Sequence, residues 1–427
     1  MRKNTYYARL DSNEFNDTIY NITFDCVEKR YHEGLVVNEH NFLEIRSAHI
    51  LLSLKREQFP SHIKSFKHEC WYEISITVDS EDTTSLDALI CHFHTESHTK
   101  KIKISSLKEM KKRSKKSKEL SSLYQLKNIT GYAESITSEE NLIGLLPTST
   151  IKEDFWLRVV NVGQGSCNSL SIIEESAGIE TQPKAEILYL ALGGGVLANA
   201  STYGCKANFY PVDNAPVILC HWDMDHWISG EQINTLNQTQ WIVPEQKNLG
   251  ITHLKFAQRL SNERRLHIWP RGLKKVKTCL VDIYKLPENK NRNYSGLVSI
   301  VKSSKRGNKN TIYPGDAPFS KCKDFISEYD IAAIITPHHA GDMPFKAIPK
   351  APEKHVVISS FGIRNTFNHP FEGNKNKPIS TKEHYSNKGW KNWHTTENGD
   401  QLIYNGTFLE QTQLELQELN RIKPNIV

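Results

Sequence analysis

A short run of ionisable residues directly after an apolar segment constrains this sequence more than any other feature. Residues 215–220 are apolar and partly β-branched, with the length of a buried strand. The sequence His-Trp-Asp-Met-Asp-His follows at once, at residues 221–226. Imidazole and carboxylate groups both bind divalent metals, and alternate side chains can converge where a strand ends in a loop. Because four ionisable groups at a buried strand end need a partner charge, the pattern predicts a site for one or two metal ions rather than a chance polar loop.

The composition is that of a globular protein with about two domains. The chain has 427 residues, of which 38% are hydrophobic and 24% charged. Its formal net charge is +6, which is compatible with a nucleic-acid partner without indicating one by itself. We find neither a signal peptide nor an apolar run that would span a membrane, so we expect a cytoplasmic protein with no membrane partner. The eight cysteines form no Cys-x-x-Cys pair and are expected to be reduced thiols, mostly buried.

The motif at residues 221–226 resembles the His-x-His-x-Asp-His metal signature of the metallo-β-lactamase superfamily, with Asp223 in the second His position. This variant is typical of the branch that resembles the ComEC competence nuclease domain. Further segments resemble that branch in the same order along the chain, over roughly residues 154–405. They are residues 162–165, 185–195, 291–298, 311–316, 331–341, 356–370 and 393–400.

The resemblance implies an α+β fold, the metallo-β-lactamase αββα sandwich. Two mixed sheets would lie face to face with helices outside, and the metals would lie at one sheet edge. Periodicity alone indicates only an α/β or α+β protein. We expect a catalytic domain of this fold at residues 151–427, preceded by a small strand-rich accessory domain at residues 1–150. Residues 135–150 would form the link between them.

The resemblance also implies a two-metal site. The implied metal ligands are His221, Asp223, Asp225, His226, Asp316 and His338. The first ion would be held by His221, Asp223 and His338, and the second by Asp225 and His226, with Asp316 between them. The implied catalytic residues are Asp225, His339 and His369. His369 would contact the substrate phosphate or donate a proton to the leaving group, and the alternative is a structural loop histidine.

Asp223 in place of a histidine makes the ligand set richer in oxygen, which shifts its preference from Zn²⁺ towards Mn²⁺. We therefore expect two divalent ions, Zn²⁺ or Mn²⁺, with Mn²⁺ supporting activity best. Such a pair can activate a hydroxide and clamp the oxygens of an in-line phosphoryl displacement. The chain departs from the family at Asn161, Ser166 and Leu192, each of which stands where the family has Asp. Loss of such supporting acids can weaken metal binding or activity.

The first 150 residues resemble no family that we can name. Alternation predicts strands at residues 18–26 and 71–78, whereas residues 48–54 could be helix or strand. We interpret Cys91 and His92 as part of a half-buried strand rather than a zinc site, because no second Cys pair is present. Residues 100–118 carry ten Lys and Arg against one acid, Glu109. Such a run is either a solvated helix or linker, or a contact for the phosphate backbone.

Three functions are compatible with these features. The first is a metal-dependent DNA nuclease, with DNA as the partner, acting in DNA processing, uptake or defence. The second is a small-molecule phosphodiesterase or esterase, because one fold hosts many chemistries. The third is a non-catalytic, metal-stabilised interaction protein, which the substitutions at 161, 166 and 192 favour. The N-terminal domain and a helical tail at residues 408–422 are candidates for contact with a protein partner.

Two further segments are relevant downstream of the central motif. Residues 250–260 are predicted to form a helix. A second basic stretch follows, over residues 259–277, and its default interpretation is a solvated face. Lysines and arginines close to a metal site would also suit phosphodiester binding.

Overall fold

The computed structural model describes residues 3–16, 19–34, 43, 45–59, 65–77, 85–92, 99–125, 129–132, 135–147, 155–173, 183–200, 202, 211–233, 236, 238–303, 309–362, 367–404 and 407–408. The chain divides into two compact units. Unit 1 comprises Met1–Glu134 and Lys247–Arg264, and unit 2 comprises Ser135–Gln246 and Arg265–Val427. This division differs from the expected boundary near residue 150, because a segment in the middle of the sequence belongs with the N-terminal unit.

The strands and helices are numbered in chain order. The strands are β1 (Lys3–Asn16), β2 (Ile19–Glu28), β3 (Ser47–Lys55), β4 (Trp71–Thr77), β5 (Leu86–His92), β6 (Lys100–Glu109), β7 (Phe155–Val159), β8 (Cys167–Ile173), β9 (Pro183–Leu192), β10 (Val217–Ile218), β11 (Trp241–Val243), β12 (Leu266–Ile268), β13 (Lys275–Lys277), β14 (Val281–Lys285), β15 (Leu297–Val301), β16 (Asn310–Tyr313), β17 (Ile331–Ile335), β18 (Val356–Ser359), β19 (Trp393–Thr395), β20 (Gln401–Tyr404) and β21 (Thr407–Phe408). The helices are α1 (Lys29–Gly34), α2 (Lys115–Gln125), α3 (Glu139–Leu145), α4 (Ile228–Gln232), α5 (Ile251–Asn262), α6 (Lys323–Ile326) and α7 (Thr381–Ser386).

Unit 1 is built on a closed six-stranded barrel with the strand order β1-β2-β3-β5-β6-β4. Its core contains alternate residues of each strand, such as Phe24, Ile50 and Ile74, all fully buried. The apolar run at residues 48–54 is a strand, because β3 pairs with β2 on one side and with β5 on the other. Barrel closure leaves this sheet without an unpaired edge.

The basic run at residues 100–118 begins as a barrel strand rather than as a helix or linker. On β6 the side chains of Ile102, Ile104 and Leu107 are buried, while Lys100, Lys101 and Lys108 are exposed. The run then continues through a turn into α2. Strand alternation places Lys101 and Lys108, which each adjoin a core-facing residue, on the outer surface of the barrel.

Helix α5 belongs to unit 1, where it packs against β2 and β3. Asp25 on β2 accepts hydrogen bonds from the backbone N–H of Thr252, at 2.9 Å, and from the hydroxyl of Thr252, at 3.0 Å. The imidazoles of His49 and His253 lie 3.5 and 3.6 Å from the same carboxylate. Asp25 thus caps the N-terminus of a helix that is far away in sequence. Predicted for residues 250–260, this helix is confirmed, but its attachment to the N-terminal unit was not predicted.

Unit 2 contains two mixed sheets that share one hydrophobic core. The first sheet has the order β12-β11-β10-β9-β8-β7-β20-β21, and the second has the order β13-β14-β15-β16-β17-β18-β19. One cluster of buried side chains includes Leu190 and Ile218 from the first sheet and Ile283, Ala333 and Ile358 from the second. The expected α+β class with two mixed sheets and a strand-rich N-terminal domain is confirmed, although the helices are short and few.

In each sheet of unit 2, the strands that lead into the predicted site residues are parallel to their neighbours on one side or both. In the first sheet β9, β10, β11 and β12 are parallel neighbours. In the second sheet the same is true of β16, β17, β18 and β19. Loops that follow parallel neighbours emerge at the same sheet edge. The segments that carry the predicted site residues are loops of this kind.

Three further expectations concern the membrane, the C-terminal tail and the cysteines. Across the described chain, no helix combines the length and apolar composition that a bilayer crossing requires. Of the predicted tail helix at residues 408–422, only Phe408 lies within the described residues, and it ends β21. Among the described cysteines, six are buried, Cys279 is exposed, and none forms a disulfide.

Candidate metal centre

Three strand ends bring the predicted ligands together. The segment 221–226 follows β10, Asp316 follows β16, and His338 and His339 follow β17. Two fully buried tryptophans hold the first loop in place. Trp222 donates from its indole N–H to the carbonyl of Pro244 at 3.0 Å, and Trp227 donates to the carbonyl of Trp222 at 3.0 Å. The motif is therefore a fixed turn, with its polar side chains alternating towards the other strand ends.

One group of potential ligand atoms contains His221, Asp223 and Asp316. The Nε2 atom of His221 lies 3.4 Å from an oxygen of Asp223 and 3.4 Å from Oδ2 of Asp316. Metal–ligand bonds of 2.0–2.2 Å in a tetrahedral arrangement place ligand atoms about 3.4 Å apart. The spacing is longer than that of a charge-assisted hydrogen bond and matches ligands around one ion.

A second group contains Asp225, His226 and His339. His339 Nε2 lies 2.9 Å from Oδ2 of Asp225, and His226 Nε2 lies 3.8 Å from Oδ1 of the same carboxylate. Asp316 reaches this group as well, because its Oδ1 is 3.1 Å from His226 Nε2. Each oxygen of Asp316 therefore faces a different group. This is the arrangement expected of a carboxylate between two ions.

The buried polar atoms fit a pair of divalent ions. His221, His226 and Asp316 are all at most 4% exposed. The Nε2 atoms of both histidines and Oδ1 of Asp316 make no hydrogen bond to any described residue. Buried polar atoms normally have a partner, and imidazole and carboxylate atoms of this kind that converge on one space fit the ligand set of a metal ion. Asp223 and Asp225 are about one-fifth exposed, at 21% and 24%, and so open the site to solvent on one side.

The two adjacent histidines occupy an unusual backbone. His338, His339 and Ala340 have φ values of 52°, 48° and 61°, the left-handed region that favours glycine. His338 Nε2 is 3.9 Å from Oδ2 of Asp316, whereas His339 makes the shorter contact with Asp225 described above. Both residues were predicted to lie at the site, and the structure brings both there. His339, expected to be a catalytic residue and not a ligand, makes the shorter of the two contacts.

Arg292 neutralises the first group. Its Nε and Nη2 atoms each lie 2.7 Å from Oδ1 of Asp223, and the side chain of Arg292 is only 7% exposed. Burial alone would raise the pKa of the Asp223 carboxyl, but the guanidinium and the His221 imidazole outweigh it and hold this pKa well below its usual value. The pKa of the Asp316 carboxyl is likewise held low, because the imidazoles of His226 and His221 outweigh burial.

A buried thiol lies behind both imidazoles. Cys220 Sγ is 3.2 Å from Nδ1 of His221 and 3.1 Å from Nδ1 of His226. The hydroxyl of Tyr313 lies 3.3 Å from the same sulfur and 2.8 Å from the hydroxyl of Ser166. The Nδ1 atoms therefore face protein groups, which leaves both Nε2 atoms directed towards the site.

The glycine turns hold the backbone of Asp225. Its carbonyl accepts hydrogen bonds from Ser166 N–H at 3.0 Å and from Gly194 N–H at 3.1 Å. A Cβ on Gly193 would lie 1.7 Å from the same carbonyl oxygen, so only glycine fits there. The glycine segment therefore lies directly against the backbone of Asp225. Two of the positions that depart from the resembling family have structural roles here: Ser166 supports Tyr313, and Leu192 is fully buried.

His369 completes the surroundings of the site. Its ring packs edge-on against His338, with centroids 4.4 Å apart, and it is 6% exposed. Burial lowers the pKa of His369 well below its usual value, and the neighbouring histidines add to this effect. A neutral imidazole at this position can donate a hydrogen bond from one ring nitrogen and accept one at the other.

Sequence reasoning missed the residues that support the ligands. No role was predicted for Cys220, Tyr313 or Arg292, although all three lie in segments 215–220, 311–316 and 291–298, which lead into or belong to the predicted motifs. The available signal for the first two was a polar side chain on an otherwise apolar strand, close to a predicted ligand. No local signal existed for Arg292, which reaches Asp223 from 69 positions away. Gln246 was also missed; its Oε1 accepts from Trp222 N–H at 3.0 Å.

No protein-family model matches this chain, and a comparison with the curated proteins finds no match.

Proposed function

We propose that this protein is a metal-dependent phosphodiester hydrolase of the metallo-β-lactamase fold, and specifically a DNA nuclease of the ComEC-like type. The observation that carries the proposal is the convergence of seven predicted side chains from three strand ends on one space. Asp316 faces two ligand groups, one with each carboxylate oxygen. Two mixed sheets that share a core and place this space at one edge are consistent with the αββα sandwich.

The proposed ligand assignment refines the expectation from sequence. His221, Asp223 and Asp316 would hold the first ion, with His338 nearby. Asp225, His226 and His339 would hold the second ion, and Asp316 would be shared. Two divalent ions at such a centre supply an activated water and clamp the oxygens of the phosphate. The oxygen-rich set leads us to propose Mn²⁺ as the better activator and Zn²⁺ as the alternative.

The chain's own residues then have defined tasks. Cys220 fixes the tautomer and orientation of His221 and His226 through their Nδ1 atoms. Arg292 holds one oxygen of Asp223 and leaves the other directed at the site. His369, beside His338, lies where it would contact a phosphate oxygen. Each of these residues would hold another group in a fixed position. Fixed groups of this kind suit a reaction whose rate depends mainly on stabilisation of the developing charge.

The test is cleavage of linear and circular DNA, single- and double-stranded, with Mn²⁺, Zn²⁺, Mg²⁺ or a chelator. We expect degradation with Mn²⁺, none with the chelator, and loss of at least a hundredfold in rate in Asp225→Ala. The matched control is Asp330→Ala. Asp330 is exposed and directly precedes β17, so it lies at the opposite end of a strand that delivers His338.

The outcomes discriminate between the candidate functions. Cleavage that survives Asp225→Ala would refute the site assignment. Hydrolysis of bis-p-nitrophenyl phosphate without DNA cleavage would replace the nuclease with a small-molecule phosphodiesterase. Two bound metal equivalents without turnover on either substrate would establish a non-catalytic metal protein. Full turnover with Zn²⁺ alone would contradict the metal preference.

A further inference from the structure

A cavity of about 640 Å³ lies in unit 2, apart from the ligand groups described above. Four of its lining residues are lysines: Lys274, Lys275, Lys285 and Lys321. Tyr284 and Phe325 also line it, and their rings stack in parallel with centroids 3.9 Å apart. We call this cavity the lysine cleft. Its walls combine an aromatic pair with cationic side chains.

Topology places the lysine cleft at the same sheet edge as the metal centre. In the first sheet, β10 ends just before His221. Strand β12 lies two strands away from β10 and runs parallel to it, and the cleft segment 269–275 follows it. In the second sheet, β16 leads into Asp316, and β14 runs in the same direction two strands away and ends at Lys285. Neighbouring strands are about 4.8 Å apart, so the cleft begins roughly 10 Å from the ligand-bearing strand ends.

The cleft and the metal centre also share one supporting segment, residues 292–295. Lys285 donates from its ammonium to the carbonyl of Ser295. The side chain of Gln246 donates to the hydroxyl of Ser295 at 2.9 Å and to the carbonyl of Arg292 at 2.7 Å. Arg292 in turn holds Asp223. Lys321 extends over the ring of Tyr294 in the same segment, at 5.6 Å from its centroid.

The charge of the cleft favours an anion. Its carboxylates are Glu245, Glu288 and Asp324, of which Glu245 is engaged by Arg271 through two hydrogen bonds of 2.8 Å. The four lysines therefore face two remaining acids. Lys274, Lys275 and Lys321 are exposed, so their ammonium groups are accessible to a ligand.

We propose that the lysine cleft binds the nucleotides that flank the scissile phosphate of a single DNA strand. This inference rests on the proposed nuclease function and assigns a substrate-binding site to it. Single strands are bound by a positively charged groove that follows the backbone, beside apolar or aromatic surfaces for the bases. At about 3.4 Å per nucleotide in a stacked strand, a distance of roughly 10 Å corresponds to about three nucleotides from the metal centre.

The test is binding of a fluorescein-labelled single-stranded oligothymidylate of roughly 20 nucleotides, longer than one site of this kind covers. Anisotropy is measured in chelator, so neither cleavage nor metal contributes. We expect the Lys274→Glu, Lys321→Glu double variant to bind about tenfold more weakly at low salt. Its plot of log affinity against log salt should be shallower by about 1.4, about 0.7 for each lost phosphate contact to a single strand.

The matched control is the Lys354→Glu, Lys391→Glu double variant, which makes the same change in charge. Both lysines are exposed and precede β18 and β19, so they lie at the opposite sheet edge. The control should bind like the wild type apart from a small general effect. Equal weakening in the two double variants would overturn the inference, as would unchanged binding in the cleft variant. Single-stranded RNA that competes better than DNA would overturn the assignment to DNA.

The design separates this inference from the proposed function. One outcome is that the wild type cleaves no DNA while the cleft variant still binds the oligonucleotide more weakly than the matched control does. In that case the cleft is a binding site for single-stranded DNA, and the nuclease proposal fails. If the wild type cleaves DNA and the cleft variant binds and cleaves equally well, the nuclease stands and the cleft inference fails. Asp225→Ala should lose cleavage while it retains binding in chelator.

Discussion

Arg292 holds Asp223 through one carboxylate oxygen only. Both guanidinium contacts, at 2.7 Å, are to Oδ1, while Oδ2 lies 3.4 Å from Nε2 of His221. Asp223 brings a negative charge into the site, and the buried guanidinium of Arg292 compensates for it. The anchored oxygen also fixes the direction of the free one.

Substitution of Arg292 by methionine should therefore weaken metal binding. The variant retains much of the side-chain volume but leaves Asp223 without its partner, and loss of a supporting contact typically reduces affinity by about 10- to 100-fold. The measurement is Mn²⁺ and Zn²⁺ affinity by chelator competition. Arg271→Met is the control, because Arg271 makes a similar pair with Glu245 on the surface. Unchanged affinity in Arg292→Met would contradict the role assigned to this residue.

Cys220 is expected to tune both imidazoles at once. Cys220→Ala removes the group that faces two buried Nδ1 atoms, so we expect metal affinity to fall by about 10- to 100-fold. Cys220→Ser keeps a hydrogen-bonding group, so its metal affinity should lie between those of Cys220→Ala and the wild type. Titration with Co²⁺ would follow the ligand environment through its absorption spectrum. The control is Cys322→Ala, which removes a fully buried thiol from a different core cluster. Wild-type affinity in Cys220→Ala would show that the sulfur only fills space.

Gly341→Ala tests His369 without changing it. Gly341 has φ −65°, which any residue adopts, but a Cβ there would lie 2.4 Å from two atoms of the His369 ring. We expect the ring to move and DNA cleavage to fall about tenfold or more, with metal content unchanged and a stability loss of about 1–3 kcal/mol. Gly144→Ala is the control, because a Cβ on this helical glycine meets nothing within 4 Å. It should leave cleavage intact and stabilise the helix by up to about 1 kcal/mol. Full DNA cleavage activity in Gly341→Ala would contradict a role for His369 at the site.

Asp25→Asn should loosen α5 in a pH-dependent manner. Burial opposes ionisation of Asp25, but His49 and His253 outweigh it and hold the pKa of this carboxyl below its usual value. When the pKa of a carboxyl is lower in the folded state than in the unfolded state, its ionisation stabilises the folded state. This stabilisation is complete above the unfolded pKa of about 3.9, and it is lost as the pH falls from there towards the folded pKa. The variant should open α5 more easily by about 1–2 kcal/mol at neutral pH, and the difference should shrink below about pH 4.

Hydrogen exchange of the α5 amides, read by mass spectrometry, measures this difference locally. Asp87→Asn serves as the control, because the Asp87 side chain is 86% exposed and pairs only with Lys103 at the barrel surface among the contacts described. Equal protection of α5 in wild type and Asp25→Asn at neutral pH would contradict the capping role.

Motifs at strand ends were predictable because they combine two local signals. An apolar run of strand length followed by ionisable residues marks the edge of a sheet, and this was enough to anticipate the sites of Asp225, Asp316 and His339. The family resemblance implied a place for Asp316 between the two ligand groups, and in the structure each of its carboxylate oxygens faces a different histidine. Contacts such as that between Arg292 and Asp223 were not predictable, since nothing in either local sequence encodes the other.

Other features depended on tertiary pairing. Residues 48–54 have no period that separates helix from strand, and only the two neighbouring barrel strands decide the outcome. Ser166 and Leu192 stand where the resembling family has Asp, and the weakened centre expected from them stays a prediction. The structure adds two supporting groups that were not predicted, Cys220 and Tyr313, which lie behind the histidines in segments that the sequence presented simply as apolar.

The attachment of α5 to Asp25 has a consequence for how the chain is made. Asp25 and Thr252 are 227 positions apart, so a ribosome that adds roughly 5–20 residues per second needs about 10–45 s to supply the helix after its cap. Throughout that interval the barrel surface around Asp25 and His49 is without its cover. For the same reason, a truncated chain that stops at residue 134 lacks a part of its own unit, and a fragment that starts at residue 135 carries a helix without its cap.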